Sequence, residues 1–185
     1  MLKTKQNDYK ILYEKYINQM YSYGKSLGIA DDVLYDFIHD IFLHLFEYKN
    51  EIAQGEQGKF YLLRSLKNRF ISQIRKEVDQ VALTDIEEYD FEISITGLDR
   101  IEEEEERKET GRQIEQMLAC LTSRQREAIY LRYMQGLEYN EIAELCDLTP
   151  KGARKLIYRA IDRLREQYGS VSLLYLFLLK DIFPF

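Results

Sequence analysis

Residues 121–165 read LTSRQREAIYLRYMQGLEYNEIAELCDLTPKGARKLIYRAIDRLR, and the order of caps, apolar positions and cations within them decides the fold. Thr122 and Gln125 have the spacing of a capping box, in which a hydroxyl and a side-chain amide each satisfy a backbone N–H, so a helix should open there. Gly136, which tolerates positive φ, should end it. A short second helix is expected from about Tyr139 to Cys146, with Ile142 and Leu145 facing inward and Ala143 leaving room for a crossing helix. Asp147 is the expected turn. Thr149 suits an N-cap and Pro150 the first helical position, where a missing N–H costs nothing. In the helix so begun, Ala153, Ile157, Ala160 and Leu164 share one face, with Leu156 and Ile161 at its margins, while Lys151, Arg154, Lys155 and Tyr158 share the other.

A short helix, a tight turn and a helix that is cationic on the outside near its N-terminus form a helix-turn-helix, whose second helix enters the DNA major groove. Arginine and lysine at such positions reach guanine edges or phosphates. The plainer alternative is a three-helix protein-binding bundle with a solvated basic face. The caps, the proline and the clean division of faces weigh against it.

Outward from this unit, composition points to an all-α chain. It has 185 residues, 45% of them hydrophobic, with no tryptophan and two prolines, enough for two small helical domains. A net charge of −6 is unusual for a DNA binder, but the charge is segregated along the chain and the average conceals it. The opening MLKTKQND carries no apolar signal region, and no stretch has the length of a membrane span, so a cytoplasmic protein is expected. Cys120 and Cys146 lack a CxxC spacing or a paired histidine; buried reduced thiols are expected, and no metal site.

Residues 7–29 place Ile11, Leu12, Tyr16, Ile17, Met20 and Tyr21 at helical spacing, and Gly24 and Gly28 weaken and then end the segment. The Asp31–Asp32 pair suits the start of a second helix. There Leu34, Phe37, Ile38, Ile41 and Leu45 form one apolar arc, and Tyr35, Phe42, Leu43 and Phe46 an adjoining arc edged by Asp36, His39 and Asp40. An aromatic patch rimmed by acids is a surface for a partner protein, unless a larger core covers it. After a polar loop at 49–58, a third helix is expected from Lys59 to Glu77. Leu63, Leu66, Phe70 and Ile74 are its inward stripe, while Tyr61, Arg64, Ser65, Asn68, Ser72, Arg75 and Lys76 face outward. Between Lys59 and Lys76 there are six cations, Lys59, Arg64, Lys67, Arg69, Arg75 and Lys76, and no acid. Such a face, with an aromatic ring and an amide, suits a nucleic-acid strand whose bases can be stacked or hydrogen-bonded.

On these residues the chain resembles the bacterial RNA polymerase sigma factors, of the short extracytoplasmic-function type that keeps regions 2 and 4 alone. LTSRQRE, GLEYNEIAEL and LTPKGARKLIYRAIDRLR resemble region 4, DFIHDIFLHLF resembles region 2.2, and GKFYLLRSLKNRFISQIRKE resembles regions 2.3 and 2.4. Asp147 stands where a turn glycine is usual, and Glu138 where a serine or threonine cap is usual. The resemblance implies that Thr149, Lys151, Arg154, Lys155, Tyr158 and Arg159 face the −35 promoter element. It implies that Tyr61, Arg64, Asn68, Ser72, Arg75 and Lys76 capture the −10 element, and that Asp36, His39, Asp40 and Phe42 bind core polymerase. It further implies core RNA polymerase, promoter DNA and an anti-sigma factor as partners, with no cofactor and no enzymatic step.

The domains expected are therefore region 2 at 1–80, an acidic linker at 81–109, region 4 at 110–168 and an apolar tail at 169–185. From Asp85 to Glu109 twelve acids stand against Arg100, Arg107 and Lys108, a composition that repels itself. Thr110 and Gln113 have capping-box spacing for a lead-in helix. The tail VSLLYLFLLKDIFPF is too short to cross a bilayer and too apolar to stay in water, so region 4 or a partner should cover it. Two other classes stay open at this point. One is a helix-turn-helix regulator that binds duplex DNA without joining core polymerase, for which residues 1–80 lack the look of a sensor domain. The other is an interaction protein that sequesters another factor through its acidic linker and tail.

Overall fold

The computed structural model describes residues 2–48, 57–78, 89–93 and 105–169. Expectations for the 49–56 loop, for most of the acidic segment, for Phe46 and for the apolar tail lie outside the described residues. Among the described residues every regular element is helical, and the chain divides into two compact units, Met1–Tyr89 and Asp90–Phe185.

The first unit packs three helices: α1 (Leu2–Ser26), α2 (Asp31–Tyr48) and α3 (Gly58–Val78). Gly28, at φ 82°, closes α1, and the Ile29 N–H reaches back to the Gly24 carbonyl at 3.1 Å. This left-handed stop needs a glycine. Beside it, Asp31 in the first turn of α2 accepts from the Tyr21 hydroxyl at 2.9 Å and pairs with Lys25 at 2.9 Å. The Lys25 ammonium, then the tyrosine hydroxyl, hold the Asp31 carboxyl below its usual range, while the same carboxylate pushes Tyr21 up to about 12.

Met20, Tyr23, Leu34, Ile38, Leu45, Leu62, Leu63 and Leu66 fill the core between these helices. Gly24 is there for space. A Cβ at this position would stand 2.2 Å from Leu34 Cδ1 and 3.1 Å from Leu34 Cγ, and Leu34 is fully buried, so its side chain has little room to turn aside. Gly24→Ala should therefore destabilise the first unit by about 1–2 kcal/mol, overpacking of roughly 1–3 outweighing a helix-propensity gain of up to about 1. Urea melts of the two proteins read that sign directly.

The second unit carries α4 (Glu105–Leu118), α5 (Ser123–Ile129), a single π-helical turn (Tyr130–Met134), α6 (Tyr139–Leu145) and α7 (Pro150–Tyr168). α4 begins before Thr110, which lies inside it and not at its cap. Glutamate, arginine and lysine at 105–109 are good helix formers, and they carry the helix back into the acidic run.

Residues 89–93, within the stretch expected to be linker, are packed. Tyr89 sets its ring edge against Phe70 of α3 at 5.8 Å and lies 5.2 Å from the Lys67 ammonium, so Lys67, one of the six cations of that segment, is only 8% exposed. In the second unit Phe91 and Ile93 are buried, with Phe91 edge-on to Tyr130 at 5.5 Å. Between and beside them Asp90 and Glu92 stay exposed. The Asp90 carboxylate accepts from Arg126 at 2.8 Å and from the Ser123 hydroxyl at 2.9 Å, fastening the segment to the first turn of α5.

Candidate nucleic-acid interface

The helix-turn-helix is built from local backbone chemistry. Thr122 accepts from the Gln125 N–H at 3.3 Å while Gln125 Oε1 accepts from the Thr122 N–H at 3.1 Å, completing the expected capping box. The π-helical turn then brings the Gln135 N–H onto the Tyr130 carbonyl at 3.0 Å, and the Gln135 amide donates to the buried Tyr130 hydroxyl at 2.9 Å. Burial pushes that hydroxyl well above the usual tyrosine range. Gly136 follows at φ 67°.

At α6 the glutamate that stands in place of a hydroxyl cap works as one. The Glu138 side chain accepts from the backbone of the third helical residue, Glu141, whose own carboxylate accepts from the Glu138 N–H at 2.7 Å. Asp147 makes the turn at φ 55°, and the Leu148 N–H returns to the Ala143 carbonyl at 2.8 Å. Aspartate replaces glycine here because its short polar side chain tolerates the left-handed region better than most.

α7 opens as its sequence indicates. The Thr149 hydroxyl accepts from the Gly152 N–H at 3.1 Å, with Pro150 in the first turn. Ala153, Ile157, Ala160, Ile161 and Leu164 are buried against the preceding helices. Lys151, Arg154, Lys155, Tyr158 and Arg159 are all exposed, and Tyr158 holds 56% of its surface in solvent, a large ring with no burial to account for it. The far end of α7 is tied to α4, where the Tyr168 hydroxyl donates to the Gln116 carbonyl at 3.4 Å.

One predicted contact is itself braced. The Arg154 guanidinium lies 5.0 Å from the centroid of the Tyr139 ring, at the start of α6. Arg132 lies 4.8 Å from the same ring and donates to the Leu137 carbonyl at 2.7 Å and to Glu138 at 3.1 Å. Sequence reading did not single out Tyr139 or Arg132.

On α3, Arg64, Asn68, Ser72, Arg75 and Lys76 are exposed and Tyr61 is half-exposed, and their spacing puts them along one side of the helix. The Ser72 hydroxyl donates to the Asn68 carbonyl at 2.7 Å. Leu62, Leu63 and Leu66 are the buried stripe, whereas Phe70 and Ile74, expected with them, are half-exposed.

The α2 set divides. Asp36 and His39 are exposed; Asp40 is exposed too but pairs with Arg69, whose guanidinium also lies 5.3 Å from the Phe37 ring. Phe42, expected at a protein-binding surface, is 0% exposed and meets the Tyr13 ring of α1 at a tilt, with centroids 4.9 Å apart. α1 covers it, so the core arc of α2 is wider than the helical period of Leu34, Ile38, Ile41 and Leu45 suggests. Among the described residues the exposed large apolar side chains of this face are Tyr35 and Leu43. Cys120 and Cys146, expected to be buried, are half-buried and outside any disulfide, and burial raises the Cys120 thiol above its usual range. Among the described residues no group of side chains could hold a metal ion, and no helix is long and apolar enough to cross a membrane.

Comparison with known proteins agrees with this geometry. Residues 111–164 match the family model described as sigma-70, region 4. The chain is 23% identical over 162 residues to the ECF RNA polymerase sigma factor SigM of Bacillus subtilis, covering 85% of this chain and 93% of that protein. Its fold is similar to that of the sigma factor RpoE of Bartonella quintana, solved in complex with the anti-sigma factor NepR, with a TM-score of 0.56 at 20% identity over 88% of this chain and 98% of the other. The region 4 match lies across the capped helix-turn-helix with its outward cations, and the likeness runs through both units, so the chain is similar over most of its length to sigma factors of the extracytoplasmic-function type.

Proposed function

We infer that the protein joins core RNA polymerase in the cytoplasm and directs it to promoters, the second unit reading the −35 element and the first unit opening the −10 element. The observation that carries this is the α7 face: five exposed polar or cationic side chains from Lys151 to Arg159 on a helix whose opposite face is wholly buried. Inserted in a major groove, Arg154 and Lys155 meet base edges or phosphates, and Thr149 holds the helix N-terminus in shape. On α3, Tyr61, Arg64, Asn68, Ser72, Arg75 and Lys76 receive the unpaired strand. Asp36 and His39 of α2, with Leu43 beside them, bind the polymerase; Asp40 contributes through its pair with Arg69. Residues 1–80 and 110–168 act as regions 2 and 4, with 90–93 belonging structurally to the latter.

Positioning is the whole mechanism, with no covalent step. Contacts to polymerase and the neutralisation of phosphates offset the few kcal/mol needed to unstack each melted base. The structural relative is held by an anti-sigma factor, and a regulator of that class is the expected partner of this chain when it is not transcribing.

Transcription with purified core polymerase on a promoter library tests the reading. Wild type should start transcripts at defined sites, Asp36→Arg/His39→Ala should lose core binding, and Arg154→Ala/Lys155→Ala should keep core binding while losing about tenfold or more of its −35 dependence. A protein that binds promoter DNA alone and never joins core polymerase would be a duplex-binding regulator instead.

A further inference from the structure

On the outward N-terminal face of α7, Arg154 lies against a ring. Among the described residues no carboxylate pairs with Arg154; its recorded contact is the Tyr139 ring, 5.0 Å from the guanidinium carbon. A cation over an aromatic face is held by the ring quadrupole without using its N–H donors. Those donors stay available for a planar acceptor such as a guanine edge.

The ring is in turn held from the other side of the sequence. Arg132 reaches it at 4.8 Å from the π-helical turn, and its Nη1 donates to the Leu137 carbonyl and the Glu138 carboxylate. Two guanidinium groups sharing one ring repel each other. The Glu138 carboxylate, paired with Arg132, offsets the charge on one of them, which leaves Arg154 as the uncompensated cation at the surface.

We propose that Tyr139 is a positioning residue for −35 recognition: its ring, fixed by Arg132, aims the Arg154 guanidinium at the DNA, so that α6 sets the rotamer with which α7 reads a base. This rests on the sigma-factor reading above. A long side chain that is already ordered loses less conformational entropy on binding, and specificity at one base pair follows from that order.

The experiment uses full-length protein with core polymerase and the promoter best transcribed from a library randomised at the −35 element. The quantity read is initiation from that promoter divided by initiation from the same promoter with the −35 element scrambled. Tyr139→Phe, which keeps the ring, should hold the ratio within about twofold; Tyr139→Leu, which keeps apolar bulk without a π face, should lower it about fivefold. In an Arg154→Ala background Tyr139→Leu should change nothing further, because the two residues act as one. Thermal melting checks that the variants fold, and Tyr139→Met replaces the leucine variant should that one unfold. An unchanged ratio in Tyr139→Leu, or an equal loss with and without Arg154, overturns the inference. A wild type with no −35 dependence at all overturns instead the reading on which it rests.

Discussion

Phe91→Ala should lower the stability of the second unit by about 3–5 kcal/mol, the range for removing a buried phenyl ring from a core that cannot collapse around the gap. Phe91 is fully buried, its ring edge meets Tyr130, and Tyr130 is fixed through its hydroxyl to the buried Gln135 side chain. The cavity therefore opens beside a side chain already committed to a hydrogen bond, which limits relaxation. Asp90→Ala should cost far less, about 1 kcal/mol or below, because its pair with Arg126 is mostly solvent-exposed on the aspartate side. Thermal unfolding of the two variants separates the cases. A near-neutral Phe91→Ala would mean that 90–93 is a bystander strap and not part of the fold of the unit.

That segment also shows where the sequence is hard to read. Its acids dominate any compositional measure, and charge density argued for a self-repelling linker. The contrary sign was local: Asp90, Phe91, Glu92 and Ile93 alternate in polarity, and the structure buries the apolar pair and exposes the acids. Period-two alternation over four residues is too short to outweigh a run of twelve acids until the groove that receives it is known. Phe42 failed for a related reason. A helical wheel orders side chains by angle but does not say how much of the circumference a neighbouring helix covers, and here α1 covers more.

The helix-turn-helix was legible because its instructions act within a few residues. A hydroxyl cap at Thr149, a proline after it and an aspartate able to take positive φ at 147 each act on their own backbone. The residues projecting outward on α7 followed from the period alone. The Arg132–Tyr139–Arg154 cluster did not, since it depends on how the π-helical turn and α6 cross α7, and no short-range signal marks a π turn.

On α3, Tyr61→Ala/Asn68→Ala should reduce promoter opening by about ten- to hundredfold while leaving −35-dependent binding to duplex DNA intact, since stacking of one base on an aromatic side chain is worth about 1–3 kcal/mol. From Tyr61 to Arg75 the exposed row spans roughly 21 Å of helix, long enough to follow several extended nucleotides. The proposed function gives its cations and its base-binding groups separable tasks. In the proposed function Arg64, Arg75 and Lys76 would neutralise phosphates, so replacing Arg64 and Arg75 should flatten the salt dependence of opening by somewhat under one unit of log–log slope for each charge. Tyr61 and Asn68 would act after the strands part, one by stacking and the other by its amide, and their loss should leave the slope unchanged. Permanganate reactivity of promoter thymines, measured across a salt series with the holoenzyme, reads both quantities at once. Tyr61→Phe keeps the ring and should stay close to wild type. If the double alanine variant shows the thymine reactivity of wild type, this face of α3 does not capture the melted strand, and the opening has to be driven from elsewhere on the first unit.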